Sequence, residues 1–305
     1  MIISRNIQLG RILKLTWKTD LFLLLSCTLA YIFEEYVLRD YFELPTIIPT
    51  LLGTALAFFI GFNNNQAYDR WWEARKIWGE LVNDSRSWAR GLLYYCGLNT
   101  SAEQTTLSQR QSLMIRRHLA FLYALKSNLR KDTDNTTYQK FLEEEEIQLV
   151  AGQSNIHNAI LELQSRDLEK LEQQAIIDGF RFMEMNKLIV RLCDSMGKSE
   201  RIKNTVFPTS YHYFTRLFIW IFVILITFVC TQLVGAWSIL LGWLIGFVFH
   251  STHLIGLSLL NPFDPIPSGI PLDQITRTIE INLLEMMGEE KLPQPIQPVN
   301  HEYVT

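Results

Sequence analysis

Between Pro45 and Trp88 an apolar run passes into a charged, tryptophan-rich helical pattern with no breaker at the junction. Few folds accommodate such a stretch. From Ile47 to Phe62 the residues are almost wholly apolar and, at about 1.5 Å per residue, cover most of a hydrocarbon core. The stretch therefore predicts one long helix that crosses a membrane and continues beyond it. On that helix Gly53, Ala57 and Gly61 stack at i, i+4 and i+8, a strip of small residues where a second helix can approach closely. The neighbouring strip is Thr54, Phe58 and Phe62. It forms a narrow, mostly dry wall if the small strip is a helix contact, and by periodicity alone it suits lipid or a packed core as well. Asn63, Asn64, Asn65 and Gln66 then make the end of the run polar, as at the inner mouth of a pore or at any membrane boundary.

Composition agrees with a protein that is partly embedded. The 305 residues are 48% hydrophobic and 19% charged, with a net charge of −3, and the mean hydropathy is +0.08. A modest membrane part joined to a sizeable cytoplasmic part follows. The near-neutral charge gives no footprint for nucleic acid as a partner. Cys27, Cys96, Cys193 and Cys230 are widely spaced, with neither a CxxC pair nor a Cys/His cluster, so they read as free thiols rather than disulfides or zinc ligands.

The charges orient the spans. Residues 1–20 alternate Ile3, Ile7, Ile12, Leu13 and Trp17 with Arg5, Arg11, Lys14 and Lys18, an amphipathic basic arm suited to the inner membrane surface. The first apolar segment, Leu21 to Phe33, is short, and its helical character extends through Leu38. The connection to the second span carries Glu34, Glu35, Arg39, Asp40 and Glu43, so by the positive-inside rule the amino terminus is cytoplasmic and the second span runs inward. Residues 21–62 thus hold transmembrane helices 1 and 2, with 45–62 the candidate pore-lining helix. Residues 63–216 form a cytoplasmic helical region, 217–260 two further spans turning at Gly235, and 261–305 a cytoplasmic loop, helix and proline-rich tail. Both termini lie inside a multi-pass cell-membrane protein.

Within the cytoplasmic region Trp71, Trp72, Trp78 and Trp88 divide between an interfacial belt and a soluble bundle. Leu107 to Leu129 reads as an amphipathic helix with Leu113, Leu119, Leu122, Tyr123 and Leu125 near one face, and Asn158 to Gln174 and Ile176 to Met196 as further helices. Asp132 to Asn135 reads as a loop, and Glu143 to Glu146 as a solvated charge run. His250 and His253 share a face of the last span. With no third ligand evident, they read as a polar contact within the bundle rather than a metal pair. Asp273 is a candidate cap for a helix through Ile275, Ile279 and Leu283, and the tail after Lys291 is extended and free to latch onto a neighbouring subunit.

These segments add up to a resemblance. Gly61-Phe62 followed by the polar run and Arg70-Trp71-Trp72, the G-x-x-E-R-I-x-x-T-x-x-P pattern from Gly197 to Pro208, and Asn261-Pro262-Phe263 followed by Pro271-Leu272-Asp273 resemble the bestrophin family in its bacterial branch. The resemblance covers nearly the whole chain. It implies an all-α integral membrane protein of four transmembrane segments with a large cytoplasmic helical bundle, assembled as a homopentamer around a central pore. It also implies a neck formed by Thr54, Phe58 and Phe62, an inner mouth at Asn63 and Asn64, and a cytoplasmic aperture at Ile189. Two departures matter. The position of Thr54 is usually aliphatic in the family, so the outer end of this neck is wetter. The acidic run that helps form a calcium clasp in animal members is replaced here by Asp264, Pro265, Ile266 and Pro267, which speaks against that clasp.

Rings of Phe58 and Phe62 are too apolar to replace an ion's hydration shell, so conduction through them depends on diameter and wetting. Phe edges are positive and faces negative, and no carboxylate stands on the neck strip. The expectation is therefore a channel for monovalent ions, leaning to chloride, with no cofactor and no bound metal. A sodium-type cation channel of the same fold, or a non-conducting membrane scaffold or sensor, is the alternative. No GxSxG, HExxH, P-loop or dinucleotide fingerprint points to an enzyme.

Overall fold

The computed structural model of the protein describes residues 9–41, 43–97, 101–132, 136–205, 209–299 and 302–305. Residues 1–8 of the expected basic arm, Thr133 to Asn135 of the expected loop, Val206 to Pro208 of the motif begun at Gly197, and Asn300 and His301 of the tail lie outside the described residues. Among the described residues the fold is all-helical. Its helices are α1 (Leu9–Phe33), α2 (Ile47–Tyr95), α3 (Ser101–Arg130), α4 (Glu144–Ala151), α5 (Ile156–Gln173), α6 (Gly179–Asn204), α7 (Thr209–Val234), α8 (Trp237–Leu259) and α9 (Leu272–Met286), with a π-helical turn at Glu34–Leu38 and a 3-10 turn at Thr137–Phe141. Among the described residues, four segments are long and apolar enough to cross a membrane: Thr16–Leu38, Ile47–Tyr95, Ser210–Val234 and Trp237–Leu259.

The chain divides into two compact units. One holds Ser4–Trp71 together with Val206–Leu260, and contains α1, the first half of α2, α7 and α8. Its core is Leu23, Cys27, Leu56, Ile60, Ile219, Phe222 and Val223. Small residues let these helices close up, because helices in lipid gain by van der Waals contact rather than by the hydrophobic effect. A Cβ on Gly246 would stand 3.0 Å from both Leu23 and Val223, and one on Gly242 would overlap the hydroxyl of Thr227 and press on Cys27. The turn between α7 and α8 needs a left-handed residue, which Gly235 supplies at φ 57°. Several threonine hydroxyls in this unit bond back to their own helix, as Thr227 does to the Val223 carbonyl at 2.7 Å, so they cost little in an apolar setting.

The second unit holds Trp72–Thr205 and Asn261–Thr305. Its centre is α3, buried all round from Leu119 to Leu125 rather than on one face as its periodicity suggests. Trp78 and Trp88 are fully buried here, whereas Trp72 is exposed. The buried Arg117 explains how a polar helix becomes central. Its guanidinium pairs with Glu146, with Asp167 at 2.8 Å and with the Leu163 carbonyl at 3.3 Å. Glu146 is therefore not part of a solvated run. Its other oxygen accepts from the Glu143 backbone N–H at 3.3 Å, completing a capping box that opens α4. Asp273 is likewise no cap for α9, which has none from a side chain. It is drawn instead into ion pairs with Lys126 at 2.8 Å and with Arg130, because two cations on α3 outbid one helix terminus. The tail returns to its own unit, where Thr305 O accepts from Gln274 N at 3.0 Å and Val304 is buried.

Candidate functional site

The site begins with the phase of α2. Leu56 and Ile60 point into the core of their unit, so the helical period turns Thr54, Phe58 and Phe62 the other way. Phe58 is 77% exposed and Phe62 50%, and Thr54 is exposed as well. The small strip splits. Gly53 is used within the protomer, where a Cβ would stand 2.7 Å from the Phe222 ring, while Gly61 has nothing within 4 Å of that position and Ala57 is open. The Thr54 hydroxyl donates to the Thr50 carbonyl at 2.9 Å, so outwardly it offers only lone pairs and a methyl group.

Below the Phe strip the asparagines turn inward. Asn63 is 5% exposed, and its amide donates to Thr215 Oγ1 at 3.4 Å. Asn64 donates to the Thr252 carbonyl at 3.0 Å and fills the space that a side chain on Gly256 would need. These bonds hold α2 against α7 and α8 and offset the poor helix propensity of consecutive asparagines, up to ~0.7 kcal/mol each relative to alanine. Asn65 and Gln66 are the exposed members of the run.

In the second unit α6 buries Met185, Leu188, Ile189, Leu192, Met196 and Ile202. Ile189 falls in this repeat and is only 7% exposed, whereas Val190, one residue out of phase, is 51% exposed. Of the two, Val190 is the side chain open in the single protomer. The spacing of Met185, Ile189, Leu192 and Met196 was the available sequence signal, and it marks a core stripe. Beside Val190 a pocket lies between α6 and the end of α2, lined among others by Arg90, Tyr94, Lys187 and Arg191.

Other candidate groups are placed by packing. His250 and His253 are both buried, and the His253 ring lies 5.9 Å from that of His212 on α7. Among the described residues no three His, Cys, Asp or Glu side chains gather as metal ligands. Asp264, which follows the Asn-Pro-Phe motif, is paired with the Lys203 ammonium at 3.1 Å, so a resident cation from the chain already sits on that carboxylate. Among the groups in this unit with displaced proton affinities are His118 and Asp273. Burial pushes the His118 imidazole down to about 3, with its Nε2 2.8 Å from Ser85 Oγ. Burial would raise Asp273, but hydrogen bonds from Lys126 and Arg130 outweigh it and hold the carboxyl at about 2.

Comparison with known proteins places this geometry among relatives. The model of the family described as Bacterial/Fungal Bestrophin protein matches residues 4–285. The chain is 29% identical over 263 residues to the voltage-dependent anion channel-forming protein YneE of Escherichia coli K12, covering 85% of this chain and 83% of that protein. It is 28% identical over 245 residues to the voltage-dependent anion channel-forming protein alr2987 of Nostoc, covering 79% and 76%. Among solved structures it is similar to a bacterial bestrophin homologue from Klebsiella pneumoniae, with a TM-score of 0.80, 26% identity, and 89% of this chain and 98% of that one covered.

Proposed function

The chain belongs to the bacterial/fungal bestrophin family, and on that premise we propose that it is a homopentameric channel of the cell membrane that conducts monovalent anions, chloride first. The observation that carries the reading is the open row of Thr54, Phe58 and Phe62 on a helix whose opposite face is locked into the protomer core. A row of large aromatic side chains left bare by its own protomer suits either lipid or a narrow apolar enclosure, and membership of this family favours the enclosure. Five such rows facing one axis give rings of Phe58 and Phe62, with Thr54 above. Ala57 and Gly61, unoccupied in the protomer, then become the surface on which neighbouring pore helices close.

Anions are favoured because the neck strip carries no carboxylate, because Phe edges present positive potential, and because relatives of this chain are named as anion channel-forming proteins. The cytoplasmic aperture is placed on α6 around Ile189, where the neighbouring Val190 is the exposed side chain. Asn63 and Asn64 act beneath the neck by fixing its helix, and Asn65 and Gln66 supply the polar mouth. Residues 63–216 and 261–305 form the cytoplasmic part, and both termini are cytoplasmic. A second reading, a sodium-type cation pore, has one observation in its favour: the Thr54 hydrogen is spent on Thr50, leaving only acceptor lone pairs toward the lumen.

The test is the reversal potential of purified protein in planar bilayers under a salt gradient. Reversal toward the chloride equilibrium potential is expected, with Phe58→Ala and Phe62→Ala raising conductance or open probability severalfold. Reversal toward the cation potential selects the second reading. Silent bilayers with well-folded protein reject conduction and leave a scaffold.

A further inference from the structure

We propose that the pocket between the end of α2 and the middle of α6 binds small multivalent oxyanions of the phosphate or polycarboxylate class. The pocket has a volume of about 710 Å³, in the size range of small-molecule sites, and its lining includes Arg90, Glu184, Lys187, Val190 and Arg191. Three cations face it against one lining carboxylate. Lys187 bonds Glu184 at 2.6 Å with both side chains largely exposed, and Arg191 bonds Asp84 beneath the lining at 2.9 Å. Arg90 is different: its bond is to Ser87 Oγ at 3.3 Å, and among the described residues no carboxylate pairs with it.

The local charge is therefore positive, and its most available group is a planar guanidinium suited to two-oxygen recognition. Ser87, Tyr94, Tyr95 and Asn186 add neutral donors around it. Gly91 is part of the lining, and a Cβ there would overlap the Met185 thioether, so α2 and α6 approach closely at that point. A halide brings one charge and one atom to all three cations. An oxyanion with several charged oxygens spans Arg90, Lys187 and Arg191 together, which is why the class is multivalent. Binding rests on this unit alone. Its consequence rests on the channel reading: Val190 is part of the lining, so a bound oxyanion stands beside the aperture and obstructs it.

Isothermal titration of the detergent-solubilised full-length protein at fixed ionic strength tests the site, with inorganic pyrophosphate and citrate as separate probes. Saturable binding of at least one probe is expected, and which one binds tells phosphate from carboxylate chemistry. Arg90→Gln and Lys187→Gln should each weaken it about tenfold or more. Glu184→Gln should tighten it, and the distant exposed Arg166→Gln should leave it unchanged. Arg90 and Lys187 are surface groups, so their variants are checked for an unaltered melting temperature, and the opposite sign of Glu184→Gln guards against misfolding. No saturable binding of either probe, or equal binding by Arg90→Gln and Arg166→Gln, overturns the proposal. Binding by protein that is silent in bilayers supports this site while rejecting the channel reading. Current that neither probe blocks, together with no titration signal, rejects the site and leaves the channel reading standing.

Discussion

Arg117 shows at the residue scale how a charge is made tolerable in a core. Its side chain is 4% exposed and faces Glu146 and Asp167, so removing the cation leaves two carboxylates poorly compensated. Arg117→Met should destabilise the protein by about 3–5 kcal/mol, read as a lower melting temperature, and a change within 0.5 kcal/mol (an order-of-magnitude bound for neutral surface substitutions) would contradict the network. His118 gives a pH signature. Its folded affinity is depressed to about 3 from 6.5, so the unfolded chain takes up a proton near pH 6.5 that the folded chain refuses. The contribution is whole above pH 6.5 and is lost as pH falls toward 3. In His118→Gln, about 2 kcal/mol of the stability lost between pH 7 and 5 should disappear, which denaturation at the two pH values checks. Asp273 has the same sign at lower pH: its contribution is present above 3.8 and lost toward about 2.

At the scale of elements, α2 matters most. Its 49 residues make a helix of about 74 Å at the ordinary rise per residue, with Pro49 in the first turn, where a missing N–H costs nothing. Gly53 and Gly61 separate packing inside the protomer from packing outside it. Gly53→Leu meets Phe222 and should cost about 1–3 kcal/mol through overpacking, seen as a lower melting temperature of the solubilised chain. Gly61→Leu meets nothing in the protomer. It should leave the fold intact and shift assembly from pentamer to smaller species, as resolved by native mass measurement. Equal loss of fold in both variants would show that the two glycines do the same work.

For the whole molecule the expectation is a particle of five chains, each of 35.6 kDa, in mild detergent. A monomeric or dimeric mass with intact helicity would leave Phe58 and Phe62 without an enclosure and remove the basis for the neck.

By itself the sequence determined most of the helices, the four apolar segments, the Gly235 turn and the shared face of Thr54, Phe58 and Phe62. Each of these follows from local periodicity, from residue size or from a required backbone conformation, and needs no knowledge of what lies opposite. Only the tertiary structure decided that α3 is buried all round and that Glu146 and Asp273 serve α3 rather than water or a helix end. It alone turned Ile189 inward and left Val190 bare, and turned Asn63 and Asn64 onto α7 and α8. The reason is common to all of these. Whether a polar or apolar side chain on a helix is inside depends on partners 29 to 188 residues away in the chain, and a pairing over that distance leaves no mark on the local pattern.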